Sequence, residues 1–501
     1  MIKRIKNKVK RTFAEQRWLI LREKTSVDEF KIFFESFSAS SFQGNVYYIF
    51  KRYFDDVAFL DFTFVIAAKV KTSVITFLKS KNLYDGRVKV IEYLSEEYIK
   101  ELYSSKYIFN NVTFPMDFVK KTEQVYVNTW HGTPLKYIGK RASEDALIVQ
   151  NMQRDFLMCD YLLSPNPFTT EIYNKDFNVS GVVSNGIQEI GYPRNEIFYN
   201  EVYRKNEREK LGFGNKKVIF YMPTWRNANG KSIDFIQKME RLADKLGEQY
   251  LIYVKLHPLD TSDRSQMKKI QYIPENYEVY EFLQCCDILI TDYSSVLFDF
   301  LNTKRPIVLY QFDREEYYKS RGVYKEIEQL IEIPIAMDID TLAELVKKEV
   351  CSSERLKEIF CPYDAGEPIA KITKIVFDLP RRNQMPICNL VVIDEADADF
   401  EQWNVDDDGN KTWIFLIPKR KNLFFQKNEK IVETNFIVGS SCGQYTLKER
   451  LAMLLVKIFP YVHLRIITQK AYQREKCRML GNMRVHRVYQ KNAPEYLKNL
   501  K

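Results

Sequence analysis

The chain has 501 residues, 45% of them hydrophobic and 28% charged, which is the composition of a globular protein and excludes a disordered or collagen-like one. At roughly 150 residues per domain, this length predicts two to four domains. The net charge is +10, but residues 1–24 carry +7 and residues 461–501 carry +8, so the body between them is mildly acidic at −5. A uniformly basic nucleic-acid-binding surface is therefore not expected.

The first segment, residues 1–24, combines basic and apolar side chains. Near helical spacing lie Ile2, Ile5, Val9 and Phe13, with Lys and Arg between them. This pattern predicts a peripheral helix on an anionic membrane surface, where each basic residue adds about 1 kcal/mol of attraction. The alternative is a basic helix that docks on the body through its apolar stripe. Because no apolar run reaches the ~20 residues of a membrane span, we expect neither a signal peptide nor a transmembrane helix.

Next in the chain, short apolar runs alternate with helical patterns. Strands are predicted at 45–50, 62–68, 88–94, 107–110, 125–129 and 160–164, with helices at 96–104 and 168–177. After Gly186 the rhythm restarts, with strands at 217–223, 250–256, 287–291 and 306–311 and helices at 233–246, 340–350 and 353–360. Alternating strands and helices are typical of parallel α/β sheets. We therefore predict two Rossmann-like domains, 25–185 and 186–380, which face a cleft and bind ligands at the carboxyl ends of their strands.

Residues 381–501 form a third region. Strands are predicted at 389–393, 412–417, 434–438, 462–467 and 483–489, with helices at 446–458 and 470–480. This pattern predicts a small α/β module, and its role stays open. The eight cysteines of the chain are scattered, without a CxxC pair or a Cys/His group at zinc spacing. We therefore expect reduced cysteines, no metal centre and no cofactor.

Two of the four histidines directly follow predicted strands, one in each half. His131 lies in VYVNTWHGTPLK and His257 lies in YVKLHP. Because both strand ends face the cleft, a pair of imidazoles there suits proton transfer and the stabilisation of phosphate charge. Either histidine taken alone is compatible with a structural role at a strand end.

Three further segments carry side chains that suit phosphate binding. In DILITDYSSVLFDF, Ser294 and Ser295 fall at a predicted helix N-terminus, where backbone N–H groups attract anions. Arg226 ends a strand in FYMPTWR, and Arg194 follows the turn GYP. An arginine at either place can hold a phosphate through two hydrogen bonds. The alternatives are ordinary helix capping, a surface arginine and a simple turn.

Together these segments resemble the CDP-glycerol glycerophosphotransferase family, which builds the poly(alditol phosphate) chains of wall teichoic acids and related polymers. The matching stretches are NTWHGTPLK (128–136), SPNPFTTEIY (164–173), GYPRNE (191–196), FYMPTWR (220–226), VKLHP (254–258), ILITDYSSVLFDF (288–300) and KRPIVLYQFD (304–313). The resemblance implies a GT-B-like fold and a peripheral position at the cytoplasmic face of the cell membrane. Glu196 stands where the family often has Asp, and residues 381–501 have no counterpart.

The resemblance also implies roles for individual residues. It assigns His131 to the acceptor side as general base, and His257 to the donor side in contact with the pyrophosphate. Arg226 and Arg194 would bind donor phosphates. The nucleotide-phosphate pocket would be lined by Thr224, Thr291, Asp292, Ser294 and Ser295. The implied donor is CDP-glycerol or CDP-ribitol, and the implied acceptor is a lipid-linked polymer.

The implied reaction follows from elementary chemistry. His131 accepts the proton of the acceptor hydroxyl as that hydroxyl attacks the β-phosphorus of a CDP-alditol, and CMP leaves. Two other classes stay open. A GT-B glycosyltransferase would use a nucleotide sugar and release a nucleoside diphosphate, whereas a membrane-bound scaffold would bind a CDP-alditol without turnover. The residues do not distinguish glycerol from ribitol, or a primase from a polymerase.

Overall fold

The computed structural model describes residues 17–18, 20–142, 146–177, 179, 183, 185–224, 226, 235–256, 265 and 267–378, together with four strands between 387 and 489. Within these residues the chain forms three sheets, of seven, six and four strands, and every strand pair is parallel. Residues 1–16 of the predicted membrane segment and His257 lie outside the described residues.

The first sheet has the strand order β3-β2-β1-β4-β5-β6-β7. Its strands are β1 (Asp28–Glu35), β2 (Thr63–Ala68), β3 (Val88–Glu92), β4 (Ser105–Asn110), β5 (Val125–Asn128), β6 (Tyr161–Ser164) and β7 (Ile187–Glu189). Its helices are α1 (Asn45–Asp55), α2 (Lys71–Ser80), α3 (Glu96–Ser104), α4 (Ala146–Met158) and α5 (Pro167–Asp176). The order reverses between β1 and β4, and such a switch point opens the ligand crevice of a doubly wound sheet.

Residues 45–50, predicted as a strand, instead begin helix α1. On one face of this helix lie Val46, Ile49, Phe50 and Tyr53, all completely buried. A six-residue run hides this periodicity, because a helical pattern needs several turns to show. The sequence prediction also missed β1, which begins with exposed charged residues and is buried only from Ile32 onward.

The second sheet repeats the same order in its own strands, as β10-β9-β8-β11-β12-β13. They are β8 (Lys217–Met222), β9 (Tyr250–Val254), β10 (Ile270–Tyr272), β11 (Ile288–Thr291), β12 (Ile307–Tyr310) and β13 (Ile335–Ala336). The helices are α6 (Glu201–Lys210), α7 (Phe235–Leu246), α8 (Val279–Cys285), α9 (Val296–Phe300), α10 (Arg314–Arg321), α11 (Lys325–Glu328), α12 (Ile339–Lys348), α13 (Glu354–Phe360) and α14 (Pro368–Thr373). The predicted α/β class with two Rossmann-like sheets is therefore confirmed.

Two features of the chain cross the predicted domain boundaries at 185/186 and 380. Strand β7 follows Gly186 but pairs with β6 in the first sheet. The chain also returns to the first sheet after α14, where the hydroxyl of Tyr161 donates to the backbone O of Ile375 at 2.9 Å and the ring of Phe377 lies 4.2 Å from that of Tyr107. The ring of Phe377 packs against aromatic side chains of the first domain, and this contact holds the segment after α14 against the first sheet.

The third region contains four parallel strands in the order β16-β15-β14-β17. They are β14 (Ile387–Ile393), β15 (Lys411–Leu416), β16 (Asn435–Val438) and β17 (Arg484–Tyr489). Four of the five predicted strands are thereby confirmed. The strand predicted at 462–467 and the helices predicted at 446–458 and 470–480 lie outside the described residues.

The end of the predicted membrane segment packs against the first domain. Trp18 is 5% exposed and meets Tyr98 and Tyr103 edge-on, with ring centroids 6.0 Å apart in each case. Arg17 forms an exposed ion pair with Glu96 at 2.8 Å. Around Trp18, the segment thus follows the alternative of docking through apolar contact. Among the described residues, no helix is both long enough and apolar enough to cross a membrane.

Candidate active site

The loop that carries His131 starts at the end of β5 and is anchored by a buried asparagine. Asn128, the last residue of β5, accepts a hydrogen bond from the backbone N–H of Trp130 at 2.9 Å. Its side-chain amide donates to Asp155 at 2.8 Å, and Asp155 also accepts from Tyr126. Because buried polar groups are costly when unpaired, this arrangement fixes the direction in which the chain leaves β5.

His131 is held in the tautomer that a general base needs. Its Nδ1 lies 2.8 Å from the backbone O of Asn111. Since a carbonyl only accepts, Nδ1 carries the hydrogen and Nε2 keeps its lone pair. Burial lowers the pKa of His131 to about 4; the hydrogen bond to Asn111 opposes this, while the charges of Arg194 and Lys136 add to it. At pH 7 the imidazole is therefore neutral and able to accept a proton.

The His131 loop touches the segment that follows β11 in the second sheet. A Cβ on Gly132 would lie only 2.4 Å from Oγ and 2.8 Å from Cβ of Ser295, so only glycine fits at this approach. The backbone N–H of Gly132 donates to the hydroxyl of Tyr192 at 3.2 Å. The strand ends of the two sheets, each predicted to face a cleft, thus meet at Gly132 and Ser295.

At the switch point of the second sheet, Asp292 accepts hydrogen bonds from the segments that follow β8 and β11. Its carboxylate accepts from the backbone N–H of Thr224 at 2.8 Å and from that of Tyr293 at 2.5 Å. It also accepts from Arg226 Nη2 at 2.8 Å. Asp292 therefore fixes the backbone of this turn. Its carboxylate is itself an anion and would not bind a phosphate directly.

Arg226 is the cation at the centre of this turn. Its Nε donates to Asp313 Oδ2 at 2.6 Å, and its Nη1 donates to the backbone O of Thr224 at 2.6 Å. Burial works against the charged form, but the hydrogen bonds and charges of Asp313 and Asp292 raise the pKa of Arg226 above its ordinary value. The guanidinium thus stays ionised and joins the ends of β8, β11 and β12.

The hydroxyl groups predicted to line the pocket fall into two groups. Thr291 is completely buried and donates to the backbone O of Met222 at 2.6 Å, which makes it a link between strands. By contrast, Thr224 Oγ1 is buried without a hydrogen-bond partner among the described residues. Ser294 makes only a 3.5 Å contact with the N–H of Val296, and Ser295 makes no capping hydrogen bond. The predicted N-cap is therefore weak, and α9 has only five residues.

Arg194, predicted to clamp a phosphate, is 2% exposed and is surrounded by protein groups. Its Nη2 donates to Asp299 Oδ2 at 2.7 Å, and its Nη1 donates to the backbone O of His131 at 2.9 Å. The guanidinium also faces the rings of Tyr192 and Tyr280 at 4.8 and 4.7 Å. Burial works against its charge, but Asp299 outweighs this and raises the pKa of Arg194. Its Nε is buried without a hydrogen-bond partner among the described residues. A phosphate held through two hydrogen bonds would still have to displace the Asp299 carboxylate or the His131 carbonyl, so this geometry does not suit a phosphate clamp.

Three residues of the site were missed by the sequence reasoning. They are Asn111, which orients the imidazole, and Asp299 and Asp313, which hold the two arginines. Both aspartates stand inside stretches that carried the family resemblance, which is the signal that could have found them. Among the described residues, no group of three or more His, Cys, Asp or Glu side chains is placed to hold a metal ion.

Two doubly wound domains that meet at their strand ends, with a neutral histidine at the junction, define a GT-B-like transferase. A family model described as CDP-Glycerol:Poly(glycerophosphate) glycerophosphotransferase matches residues 18–378. The chain belongs to this family and is an enzyme of the glycerophosphotransferase type, as its motifs indicated.

Individual relatives agree with this family assignment. A teichoic acid poly(glycerol phosphate) polymerase of Bacillus spizizenii is 30% identical over 371 residues, covering 68% of this chain and 91% of that protein. Another, of Staphylococcus epidermidis, is 28% identical over 403 residues, covering 73% of this chain and 53% of that protein. The structure of a variant of the wall teichoic acid polymerase TagF soaked with CDPG matches with a TM-score of 0.63 at 27% identity, covering 74% of this chain and 94% of that one.

Proposed function

We propose that this chain transfers glycerol phosphate from CDP-glycerol to the terminal hydroxyl of a lipid-linked acceptor, with release of CMP, in teichoic acid synthesis. The observation that carries the proposal is the contact between the His131 loop, whose Nε2 is available as a base, and Ser295 at the switch point of the second sheet. Similarity to two poly(glycerol phosphate) polymerases supports glycerol as the alditol.

In the proposed reaction His131 acts on the acceptor. Its Nε2 takes the proton of the acceptor hydroxyl while the hydroxyl oxygen forms a bond to the β-phosphorus of the donor. The bond from that phosphorus to the bridging oxygen breaks, and CMP leaves with the electron pair. A base so placed contributes typically 10²–10⁴-fold in rate.

The donor side is assigned to the edge of the second sheet. Thr224 Oγ1 is a buried donor without a protein partner in the described part of the chain. Ser295, which follows Ser294, lies at the contact with the His131 loop. Arg226 lies at the same edge, where its guanidinium is already paired with Asp292 and Asp313. His257 remains the proposed histidine of the pyrophosphate, on the strength of its family motif alone.

Product analysis tests the proposal. The purified chain is incubated with CDP-glycerol or CDP-ribitol and a short lipid-linked acceptor, and the released nucleotide and the extended acceptor are quantified. CMP release with extension from CDP-glycerol is the expected result. Extension from CDP-ribitol alone would move the donor assignment to ribitol. Donor binding without turnover would favour a scaffold, and a nucleoside diphosphate released from nucleotide sugars would favour a glycosyltransferase.

We further propose that the basic ends place the enzyme on the cytoplasmic face of the membrane. Residues 1–16 contain six Lys or Arg and one Glu, and a truncation that ends at residue 16 retains the docked Trp18. Strand β17 lies within 461–501, so the basic residues of that end are replaced by glutamine and the segment is kept. Truncation of 1–16, the glutamine replacements and both changes together should progressively weaken sedimentation with anionic vesicles. Binding should also fall as salt rises, because screening acts over about 8 Å at physiological ionic strength. Undiminished sedimentation of the variant with both changes would refute the charge argument.

A further inference from the structure

We infer that Arg194 is a positioning residue for His131. Through a buried ion pair with Asp299, it fixes the His131 loop against helix α9, which follows Ser294 and Ser295. The inference rests on the proposed function, because it assigns a part in that reaction to a residue that touches no substrate. It replaces the phosphate-clamp role that the sequence suggested.

Arg194 spans the junction between the two sheets. It lies in the 3₁₀ segment Pro193–Tyr199, and its backbone N–H donates to Asn45 Oδ1 at 3.3 Å. Its Nη1 holds the carbonyl of His131 at 2.9 Å, and its Nη2 holds Asp299 on α9 at 2.7 Å. One planar guanidinium therefore sets the distance between the loop of the proposed base and the helix beside the proposed donor pocket.

A buried polar network holds Asp299 in turn. Its Oδ1 accepts from Asn195 Nδ2 at 3.0 Å, and its Oδ2 accepts from the hydroxyl of Tyr280 at 2.8 Å. Asp364 binds the amides of both Asn195 and Asn302 at 2.8 Å. All five side chains are buried, and although Asn195 Oδ1 has no partner among the described residues, each further group left unpaired would cost about 1–3 kcal/mol. The anchor of Arg194 therefore has little freedom to move.

The position of Arg194 matters because the His131 loop is closely packed against the second sheet. Gly132 already touches Ser295, so a displaced His131 carbonyl carries the ring with it. A misplacement of about 1 Å can cost about 10²-fold in rate. Arg194 and Lys136 are the charged groups that face the imidazole, whereas Phe37, Trp130 and the Asn111 carbonyl present uncharged faces. Arg194 therefore also helps to keep the base unprotonated.

Two variants separate the effect of Arg194 on the position of His131 from the effect of its charge. Arg194→Lys keeps the charge and loses the two-pronged hydrogen bonding, whereas the double variant Arg194→Gln with Asp299→Asn removes both charges and avoids an unpaired buried one. The matched control is Arg208→Lys. Arg208 likewise binds a backbone carbonyl and a carboxylate, at 2.6 and 2.9 Å, but near the amino end of β11, away from the site.

The readouts are kcat, the Kd for CDP-glycerol by calorimetry, and the pH profile of kcat/KM, with circular dichroism to verify folding. Both Arg194 variants should lose about 10²-fold in kcat and keep the donor Kd within about twofold. Only the double variant should move the acid limb of the profile to higher pH, because it removes the Arg194 charge that lowers the pKa of His131. The loss of the Asp299 charge, which lies beyond the guanidinium, offsets only part of this change. The control should behave as wild type.

Other outcomes overturn the inference in distinct ways. Weakened donor binding with kcat retained would restore the phosphate-clamp role, and unchanged kcat in both variants would remove any role in the reaction. Should Arg194→Lys fail to fold, the neutral pair still decides through kcat and the acid limb. A wild-type chain that produces no CMP from CDP-glycerol would instead defeat the proposed function.

Discussion

Gly132→Ala places one methyl group at the contact between the two halves of the site. Its Cβ would lie 2.4 Å from Ser295 Oγ and 2.8 Å from Ser295 Cβ, whereas ordinary contacts begin at 3.4 Å. Even if Oγ rotates away, the His131 loop or the backbone at Ser295 must therefore move by about 0.6–1 Å. A displacement of that size at the reacting groups costs about 10²-fold, or about 2.7 kcal/mol of barrier. We therefore expect kcat to fall about 100-fold while the protein stays folded.

A double-mutant cycle assigns the cause of this loss. Ser295→Gly removes both the Oγ and the Cβ that the new methyl group would meet. CMP release from CDP-glycerol is measured for Gly132→Ala, Ser295→Gly and the double variant. Ser295→Gly has its own effect as a proposed donor-pocket residue, so the quantity of interest is the effect of the alanine in each background.

In the Ser295→Gly background the alanine should cost clearly less than in the wild-type background, because the space it needs is vacant and only the backbone strain at the φ of +158° remains. A loss of equal size in both backgrounds would locate the cost in the backbone of residue 132 and refute the steric reasoning. Wild-type kcat for Gly132→Ala alone would show that the contact does not constrain the reaction.

Further predictions concern the base, the ion pairs and the docked segment. His131→Ala should lower kcat by about 10²–10⁴-fold with CDP-glycerol binding unchanged in calorimetry, and wild-type turnover would contradict its role as base. Because burial lowers the pKa of His131 to about 4, kcat/KM should hold as the pH falls through 6.5 and decline only toward pH 4, where protonation removes the lone pair; an acid limb centred at 6.5 would contradict this. Arg226→Gln should lower the free energy of unfolding by about 3–5 kcal/mol in urea, since two buried carboxylates lose their cation, and an unchanged midpoint would show that the pairs add nothing. Trp18→Ala should lower the free energy of unfolding in urea by about 3–5 kcal/mol. Ile20→Ala, at a side chain that is 36% exposed, should change it by no more than about 0.5 kcal/mol.

Local patterns in the sequence were enough to predict the fold class and most of its elements, but not strands β1, β7, β10 and β13 or helix α1. Apolar runs alternating with helical patterns predicted the parallel sheets, and their boundaries agree within two residues for the elements that were found. The position of His131 directly after a strand placed it at the carboxyl edge of a sheet. These properties follow from hydrophobic periodicity and chain direction, which neighbouring residues alone determine.

The tertiary structure decided which groups pair with the two arginines. The sequence showed Arg194 and Arg226 as cations at chain turns and left phosphate binding, a surface position and a simple turn open. Asp299 lies 105 residues from Arg194, and Asp313 lies 87 residues from Arg226, yet each carboxylate occupies its arginine. The cost of burying an unpaired charge selects such partners, and burial is known only once distant segments have packed. For the same reason the neutral state of His131 was not evident from the sequence, because the fold that buries the ring also lowers its pKa.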